Sequence, residues 1–274
     1  MSLKDLVEAY NEKMKALNQF KEEKIEEVNK MIEEKMKIID QIATAEESVK
    51  KTLNRKLEQL NSKIESKKKI IEDYYNKQLE KIENPIDFKS LTAQYPDVYA
   101  WITIPGTRID YPIVQHPSDN GYYLNHTVDG RKRIEGSIYT ENYNSKDFSD
   151  PNTLIYGHNM KNGSMFKGLH KYKDRKFMEE HDEVLIYQDG RVLKYKIFAA
   201  YVYDSRHLML SFDFQDKNIF DYYLNSVLTK KDMSSNINTT VEVTAEDKII
   251  TLSTCNNNDA QRYLVQAVLL SIQE

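Results

Sequence analysis

Cysteine is nearly absent from this chain of 274 residues: Cys255 is the only one, so no disulfide can form within the chain. Two interpretations fit that count. A lone cysteine is ordinarily a small buried hydrophobe of a cytosolic protein, where free thiols persist. In a secreted protein an unpaired cysteine is instead a candidate reactive thiol. The residues around Cys255 therefore have to decide between the two interpretations.

Long hydrophobic runs and a large excess of one charge are also missing. No stretch of about 18 apolar residues occurs, so no transmembrane helix is predicted, and no signal peptide is visible. We expect a natural membrane anchor to lie outside this chain. The 39 basic and 43 acidic residues give a net charge of −4, which argues against nucleic acid as a partner.

Motifs that bind metals or nucleotide cofactors are missing as well. A single cysteine and the lack of a His-Glu-x-x-His motif argue against structural or catalytic zinc. No glycine-rich phosphate loop occurs in the sequence. Neither a metal nor any other cofactor is therefore predicted.

Glycine, proline and tryptophan are missing from residues 1–84, which hold 18 basic and 18 acidic residues. Apolar residues there recur at alternating steps of three and four, as in a coiled coil; the clearest set, in which Lys67 occupies one seam position, is Leu53, Leu57, Leu60, Ile64, Ile71 and Tyr74. The segment is predicted to be a charged helical stalk, weakest as a helix at residues 44–48. A helix this long needs a partner face, so it folds back as a hairpin, self-associates with a second copy, or packs on the rest of the chain. A solvated spacer and a partner-binding stalk both fit this pattern.

Residues 85–274 have a different character, since every glycine and proline of the chain lies at or beyond Pro85. Short apolar runs alternate with turn residues, which predicts many short strands. One of these predicted strands is Val241–Val243, and one helix is predicted near residues 218–228. So many strands in about 190 residues indicate a mainly β domain, either a closed barrel or a sandwich.

Three residue types that support acyl transfer stand at predicted strand ends. Cys255 closes the run from Ile249, His158 follows the run that ends at Tyr156, and Arg262 opens the last strand. Antiparallel pairing would place Arg262 beside Cys255. A thiolate nucleophile, a proton partner and an oxyanion donor would then be available. The remaining histidines lie in polar stretches and do not follow the end of a strand in this way. Surface or structural roles are predicted for His116, His126, His170, His181 and His207.

The motifs around these residues resemble those of the sortases, the cysteine transpeptidases of Gram-positive cell surfaces. Thr251–Cys255 is similar to the cysteine motif of the family, and Asn152–Met160 is similar to its histidine motif in the class B form. Class B features are also found in Trp101–Gln115, Tyr122–Leu124 and the long connection Leu208–Asn238. The resemblance covers about residues 87–274 and does not extend to the helical segment.

The resemblance implies a sortase-type closed β-barrel with a few helices, and a reaction in two steps. Cys255 would cleave a C-terminal sorting signal of a secreted protein through a thioester, and an amine of peptidoglycan or of a pilin would resolve it. His158 would move the protons, while Arg262, with the Asn256 amide, would stabilise the oxyanion. Ser253 lies on the same side of the strand as Cys255 and would either contact substrate or fill the barrel. The implied location is the extracellular face of the cell membrane.

Three functional interpretations stay open at this point. The first is a transpeptidase that attaches proteins to the cell wall, and the second is a sortase that polymerises pilins. The third belongs to another class: a coiled-coil interaction protein whose barrel is inactive. The presence of Cys255, His158 and Arg262 argues against the third, whereas only the accepting amine separates the first two.

Overall fold

The fold was derived from a computed structural model of the chain. The structure describes residues 3–45, 47–79, 86–230, 235–256 and 260–273. The chain divides into two units, one up to Pro85 and one from Ile86 onward. No helix among the described residues is long and apolar enough to cross a membrane.

The first unit is a hairpin of two long helices. Helix α1 spans Leu3–Thr44 and helix α2 spans Glu47–Leu79, so the helical break falls in the predicted stretch. The predicted seam residues Leu60 and Ile64 are buried against Val28 of α1. Folding back is therefore the alternative that the structure shows.

Polar contacts between the two helices fix how the hairpin is paired. Tyr75 is buried and donates its hydroxyl hydrogen to Asn18 Oδ1 over 2.9 Å. Lys67, which interrupts the apolar seam, reaches Glu27 of α1 over 3.1 Å. Both contacts join residues of opposite helices, so they favour one antiparallel alignment over its shifted alternatives.

The second unit is built on a single sheet. Its strands among the described residues are β1 Val98–Thr103, β2 Asp110–Val114, β3 Ile138–Thr140, β4 Asn152–Tyr156, β5 Glu183–Gln188, β6 Arg191–Asp204, β7 Asn236–Ile237, β8 Ile249–Cys255 and β9 Gln261–Gln273. The strand order is β5-β1-β2-β3-β4-β8-β9-β6-β7, and β5 also pairs with β6. That last pairing closes eight strands into a barrel, and β7 lies outside the ring on β6. The prediction of a mainly β, closed barrel is confirmed.

Short helices precede the first strand and occupy several connections between strands. They are α3 Phe88–Gln94, α4 Arg175–Glu180, α5 Leu208–Ser211 and α6 Lys217–Leu228, with 3-10 helices at Tyr122–Leu124 and Phe166–Lys173. The helix predicted near residues 218–228 is α6. It begins there because the Asp216 carboxylate accepts hydrogen bonds from the amides of Asn218 and Ile219.

The strand predicted at Val241–Val243 is absent from the described structure. Val243 packs into the apolar cluster beside α6 without pairing to a strand. Local turns take up the backbone hydrogen bonds on either side: the Val241 amide donates to the Asn238 carbonyl, and the Thr244 amide donates to the Asp247 carboxylate. Turn residues on both sides therefore outcompete the alternating valines.

A buried hydrogen-bond network sets the alignment of the strands that carry the candidate site. Thr251 donates to Asn152 Oδ1 over 2.8 Å, and Gln266 Nε2 donates to Thr251 Oγ1 and to Tyr223 Oη, each over 2.8 Å. Tyr223 Oη also lies 2.9 Å from Tyr201 Oη. These groups join β4, β8, β9, β6 and α6 within the core. A shift of β8 by one residue would leave several of them unpaired, so the network fixes the register at Cys255.

Candidate active site

Cys255 and Arg262 face each other across two antiparallel strands. The β8–β9 register pairs them directly, as the sequence predicts. The six residues of β8 before Cys255 are buried, whereas Cys255 itself is partly exposed. The thiol is therefore held by a rigid strand at the point where that strand reaches the surface.

His158 emerges at the same edge of the sheet as Cys255. Strands β4 and β8 are parallel, with Tyr156 paired to Ser253, and the carboxyl ends of parallel strands meet at one edge. The Gly157 amide continues the pairing by donating to the Ser253 carbonyl over 3.1 Å, and the Asn159 side chain donates to the Cys255 carbonyl over 2.9 Å. Residues on both sides of His158 are thus bonded to the strand that carries Cys255.

Gly157 is required by a close approach of side chains. A Cβ added there would lie 2.5 Å from Ile138 Cδ1 and 2.6 Å from the Phe166 ring. Both neighbours are buried, so neither can move into solvent. Only glycine lets the chain pass between them and place His158 beyond β4.

The imidazole of His158 is oriented by a backbone carbonyl. Its Nε2 lies 2.7 Å from the carbonyl oxygen of Leu124, in the 3-10 helix Tyr122–Leu124. A carbonyl oxygen only accepts, so Nε2 carries the hydrogen in this geometry. Nδ1 is then the nitrogen that can exchange a proton with a substrate.

A stacked pair of tyrosines lies beside the cysteine and the arginine. The rings of Tyr139 and Tyr156 are 5.2 Å apart between centroids. Burial raises the pKa of both phenols well above its usual value, and the charge of Arg262 opposes that rise at both rings. The pair therefore forms an uncharged aromatic wall near Arg262. The alternation that predicts β3 and β4 includes both tyrosines, but no sequence signal brings them together.

His207 makes a polar contact near Tyr156. From the sequence, only a surface or structural role was predicted for it. Its Nε2 lies 2.6 Å from Glu141 Oε2, and Tyr156 donates to the same oxygen over 2.9 Å. His207 directly precedes α5, while Glu141 directly follows β3. The bond fastens the long connection after β6 to Glu141, the residue that follows β3.

Ser253 and Asn256 are already engaged within the protein. Ser253 is buried, and its contact with substrate stays a prediction. The Asn256 amide donates to the Gln261 carbonyl over 3.3 Å, and its side-chain oxygen accepts from Lys173 over 3.0 Å. The Asn256 amide would have to leave Gln261 before it could serve an oxyanion.

Side chains that could hold a metal ion are not grouped in the part of the chain that the structure describes. Within the described ranges, no cluster of three or more His, Cys, Asp or Glu side chains is placed to bind one. The site is thus described by a thiol, an imidazole and a guanidinium at one end of the barrel.

Comparison with known proteins agrees with this geometry. Residues 102–270 match the Sortase domain. The chain is 37% identical to Sortase B of Listeria monocytogenes over 189 residues, which is 68% of this chain and 74% of the relative. It is 30% identical to Sortase B of Staphylococcus aureus over 190 residues, covering 68% of this chain and 75% of the relative.

Solved structures of sortase B share the fold of this chain. The structure of Clostridium perfringens sortase B matches with a TM-score of 0.62 and 30% identity, covering 68% of this chain and 100% of that one. A Staphylococcus aureus sortase B-substrate complex matches with a TM-score of 0.59 and 29% identity, covering 67% of this chain and 84% of that one. The resemblance seen in the sequence motifs is confirmed: the chain belongs to the sortase family, as a cysteine transpeptidase of class B.

Proposed function

We propose that this enzyme cleaves a C-terminal sorting signal of secreted proteins and transfers the acyl group to an amine of the cell wall. The observation that carries the proposal is the cross-strand pairing of Cys255 with Arg262 at the edge where His158 emerges. A solved structure with the same fold is a Staphylococcus aureus sortase B-substrate complex, which supports a substrate-binding role for this domain.

Cys255 is the proposed nucleophile. A proton passes from the thiol to His158, and the thiolate attacks the backbone carbonyl of the sorting signal. The carbon–nitrogen bond then breaks, and the leaving amine takes a proton from the His158 imidazolium. The product of this half-reaction is a thioester on Cys255 and a free carboxyl-terminal tail.

The second half-reaction runs the proton transfers in the opposite direction. The accepting amine attacks the thioester and loses a proton to His158, and the carbon–sulfur bond breaks to restore the Cys255 thiol. Arg262 is the proposed donor to the oxyanion in both halves, and its backbone pairing with Cys255 across β8 and β9 supports that role. No described residue other than these three is needed to balance the reaction.

The proposed setting follows from the proposed substrates. Secreted proteins with sorting signals and wall precursors meet at the extracellular face of the cell membrane, so the enzyme is proposed to act there. A pilin-polymerising sortase would use the same three residues with a pilin lysine as acceptor, and nothing in the site favours it.

A library of quenched fluorescent peptides tests the proposal. The wild-type enzyme should cleave a subset of them, and mass spectrometry of the intact protein should show an acyl group on its single cysteine. Addition of a peptidoglycan-derived amine should convert hydrolysis products into an amide, whereas a pilin lysine peptide should not. A wild-type enzyme that forms no acyl adduct with any peptide would refute the proposed function.

A further inference from the structure

The carbonyl of Cys255 accepts two side-chain hydrogen bonds. Asn159 Nδ2 donates to it over 2.9 Å, and His170 Nε2 lies 3.1 Å from it. A carbonyl oxygen has two lone pairs, so both are used. The peptide group directly after the nucleophile is therefore held from two sides.

His170 reaches this carbonyl from the 3-10 helix Phe166–Lys173. Its ring stacks on Tyr263 of β9, with centroids 5.1 Å apart and planes 20° apart. Tyr263 is the residue after Arg262 and is buried. The imidazole therefore has a fixed plane, and its Nε2 points along one direction toward β8.

Lys173 makes a similar contact with Asn256, the residue after Cys255. It lies three positions after His170, and residues at this spacing lie on one face of a 3-10 helix. Its ammonium group donates to Asn256 Oδ1 over 3.0 Å and lies 5.1 Å from the Tyr263 ring centroid. The helix thus holds both Cys255 and Asn256.

One continuous segment, residues 158–173, carries the proposed acid–base residue and all three of these contacts. The Phe166 amide donates to the His158 carbonyl over 2.9 Å, which ties the start of the 3-10 helix to His158. Phe166 and Leu169 are fully buried and anchor the segment in the barrel core. The position of His158 relative to Cys255 therefore depends on the hydrogen bonds between this segment and β8.

We propose that His170 is a positioning residue: its Nε2–H bond to the Cys255 carbonyl holds the thiol in register with His158. This inference rests on the proposed role of Cys255 as the nucleophile. Asn159 and Lys173 assist from either side, and His170 itself exchanges no proton with substrate.

The charge state of His170 agrees with a purely positioning role. Burial lowers the pKa of its imidazole, and the charges of Lys173 and Lys167 lower it further, against the opposing effect of the bond to Cys255. The ring is therefore neutral near pH 7. Since its Nε2 faces an acceptor, the neutral form carries its hydrogen on Nε2.

Two substitutions separate the hydrogen bond from the packing of the ring. His170→Gln keeps an amide donor and loses the ring, whereas His170→Phe keeps the stacking on Tyr263 and loses the donor. With a peptide selected on the wild-type enzyme, His170→Phe should lower kcat about tenfold with KM within about twofold, as expected for a misplaced reacting group. His170→Gln should retain kcat within about threefold.

A matched control is His181→Phe, since His181 is also half-buried and packs on an aromatic ring, Phe177, 4.5 Å away. It should leave kcat unchanged. Equal losses of kcat in His170→Phe and His170→Gln would overturn the proposal, because the ring and not the bond would then matter. A His170→Phe enzyme as fast as the wild type would overturn it as well.

A measurement on the unsubstituted protein covers the case in which His170→Phe does not fold. Nitrogen-15 chemical shifts of labelled histidines at pH 7 should show His170 as the neutral Nε2–H tautomer. A protonated ring or the Nδ1–H tautomer would overturn the proposal. Failure of the wild type to cleave any peptide would count against the proposed function, while the tautomer would still decide the hydrogen bond.

Discussion

Gly157→Ala is expected to damage the enzyme far more than one added methyl group suggests. The new Cβ would lie 2.5 Å from Ile138 Cδ1 and between 2.6 and 2.7 Å from two atoms of the Phe166 ring. Carbon atoms in favourable contact are about 3.5–4.0 Å apart, so the neighbours or the chain must move by about 1 Å. Ile138 and Phe166 are buried on all sides, which leaves the segment containing His158 as the part that moves.

The expected magnitude has two components. Overpacking of a tight core costs about 1–3 kcal/mol of unfolding free energy. A displacement of about 1 Å at a reacting group can lower the rate about 100-fold. Gly157→Ala should therefore lose about two orders of magnitude in kcat/KM while the protein stays folded.

Denaturant unfolding and peptide cleavage measure these two components separately. Gly121→Ala is the matched control, because its added Cβ would meet only Asp119 Oδ1 at 3.5 Å, an ordinary contact. Gly121→Ala should change the unfolding free energy by less than about 0.5 kcal/mol and leave cleavage intact. A Gly157→Ala enzyme with wild-type stability and wild-type kcat/KM would show that the close approach does not position His158.

Four further outcomes are expected. Cys255→Ala should abolish the acyl adduct in intact-mass spectra without altering thermal unfolding, and any adduct in that variant would exclude Cys255 as the nucleophile. Arg262→Lys should lower kcat/KM by about two orders of magnitude, since lysine lacks the planar fork of the guanidinium; near-normal kinetics would make Arg262 a surface residue. Gln266→Leu should lower the denaturant-derived unfolding free energy by about 2–4 kcal/mol, because Thr251 and Tyr223 each lose a buried partner; an unchanged midpoint would contradict that role of the network. A protein restricted to residues 86–274 should fold and keep peptide cleavage, since this unit has two large apolar clusters built from its own strands and helices; an insoluble or inactive product would show that the helices complete the catalytic unit.

The sequence predicted those parts of the site that depend on strand ends. Cys255 and Arg262 stand on either side of a short loop between two alternating strands, so antiparallel pairing alone brings them together. His158 could be added because the run before it ends in Tyr156-Gly157, whereas the parallel pairing of β4 with β8 that brings it to the edge with Cys255 was not predicted. These contacts follow from local pattern and sheet geometry.

The sequence could not predict contacts that depend on the packing of distant segments. His170 and Cys255 are separated by 85 positions, and His207 and Glu141 by 66. Each pair meets only because a connection folds over one end of the barrel. A histidine in a polar stretch gives no signal of this, so both histidines were assigned surface or structural roles.

In the helical segment the sequence predicted the buried seam but not every residue in it. The heptad pattern predicted a buried seam, and Leu60 and Ile64 are buried as expected, whereas Tyr74 remains 45% exposed. Its neighbour Tyr75 takes the buried position instead, because its hydroxyl reaches Asn18 on the facing helix. Hydrophobic spacing therefore identified the seam, and one polar contact decided which of two adjacent tyrosines occupies it.

The active end of the barrel combines two kinds of support. Cys255 and Arg262 belong to strands β8 and β9, whose register is fixed by the buried network at Thr251 and Gln266. His158 instead belongs to a connection that, beyond the Gly157 amide, reaches β8 through the side chains of Asn159 and His170. An enzyme whose imidazole must give one proton to a departing amine and later take another from an arriving amine needs that imidazole at a repeatable distance from the thiol. The bonds from Asn159 and His170 to the Cys255 carbonyl supply that constraint where the strand ladder ends.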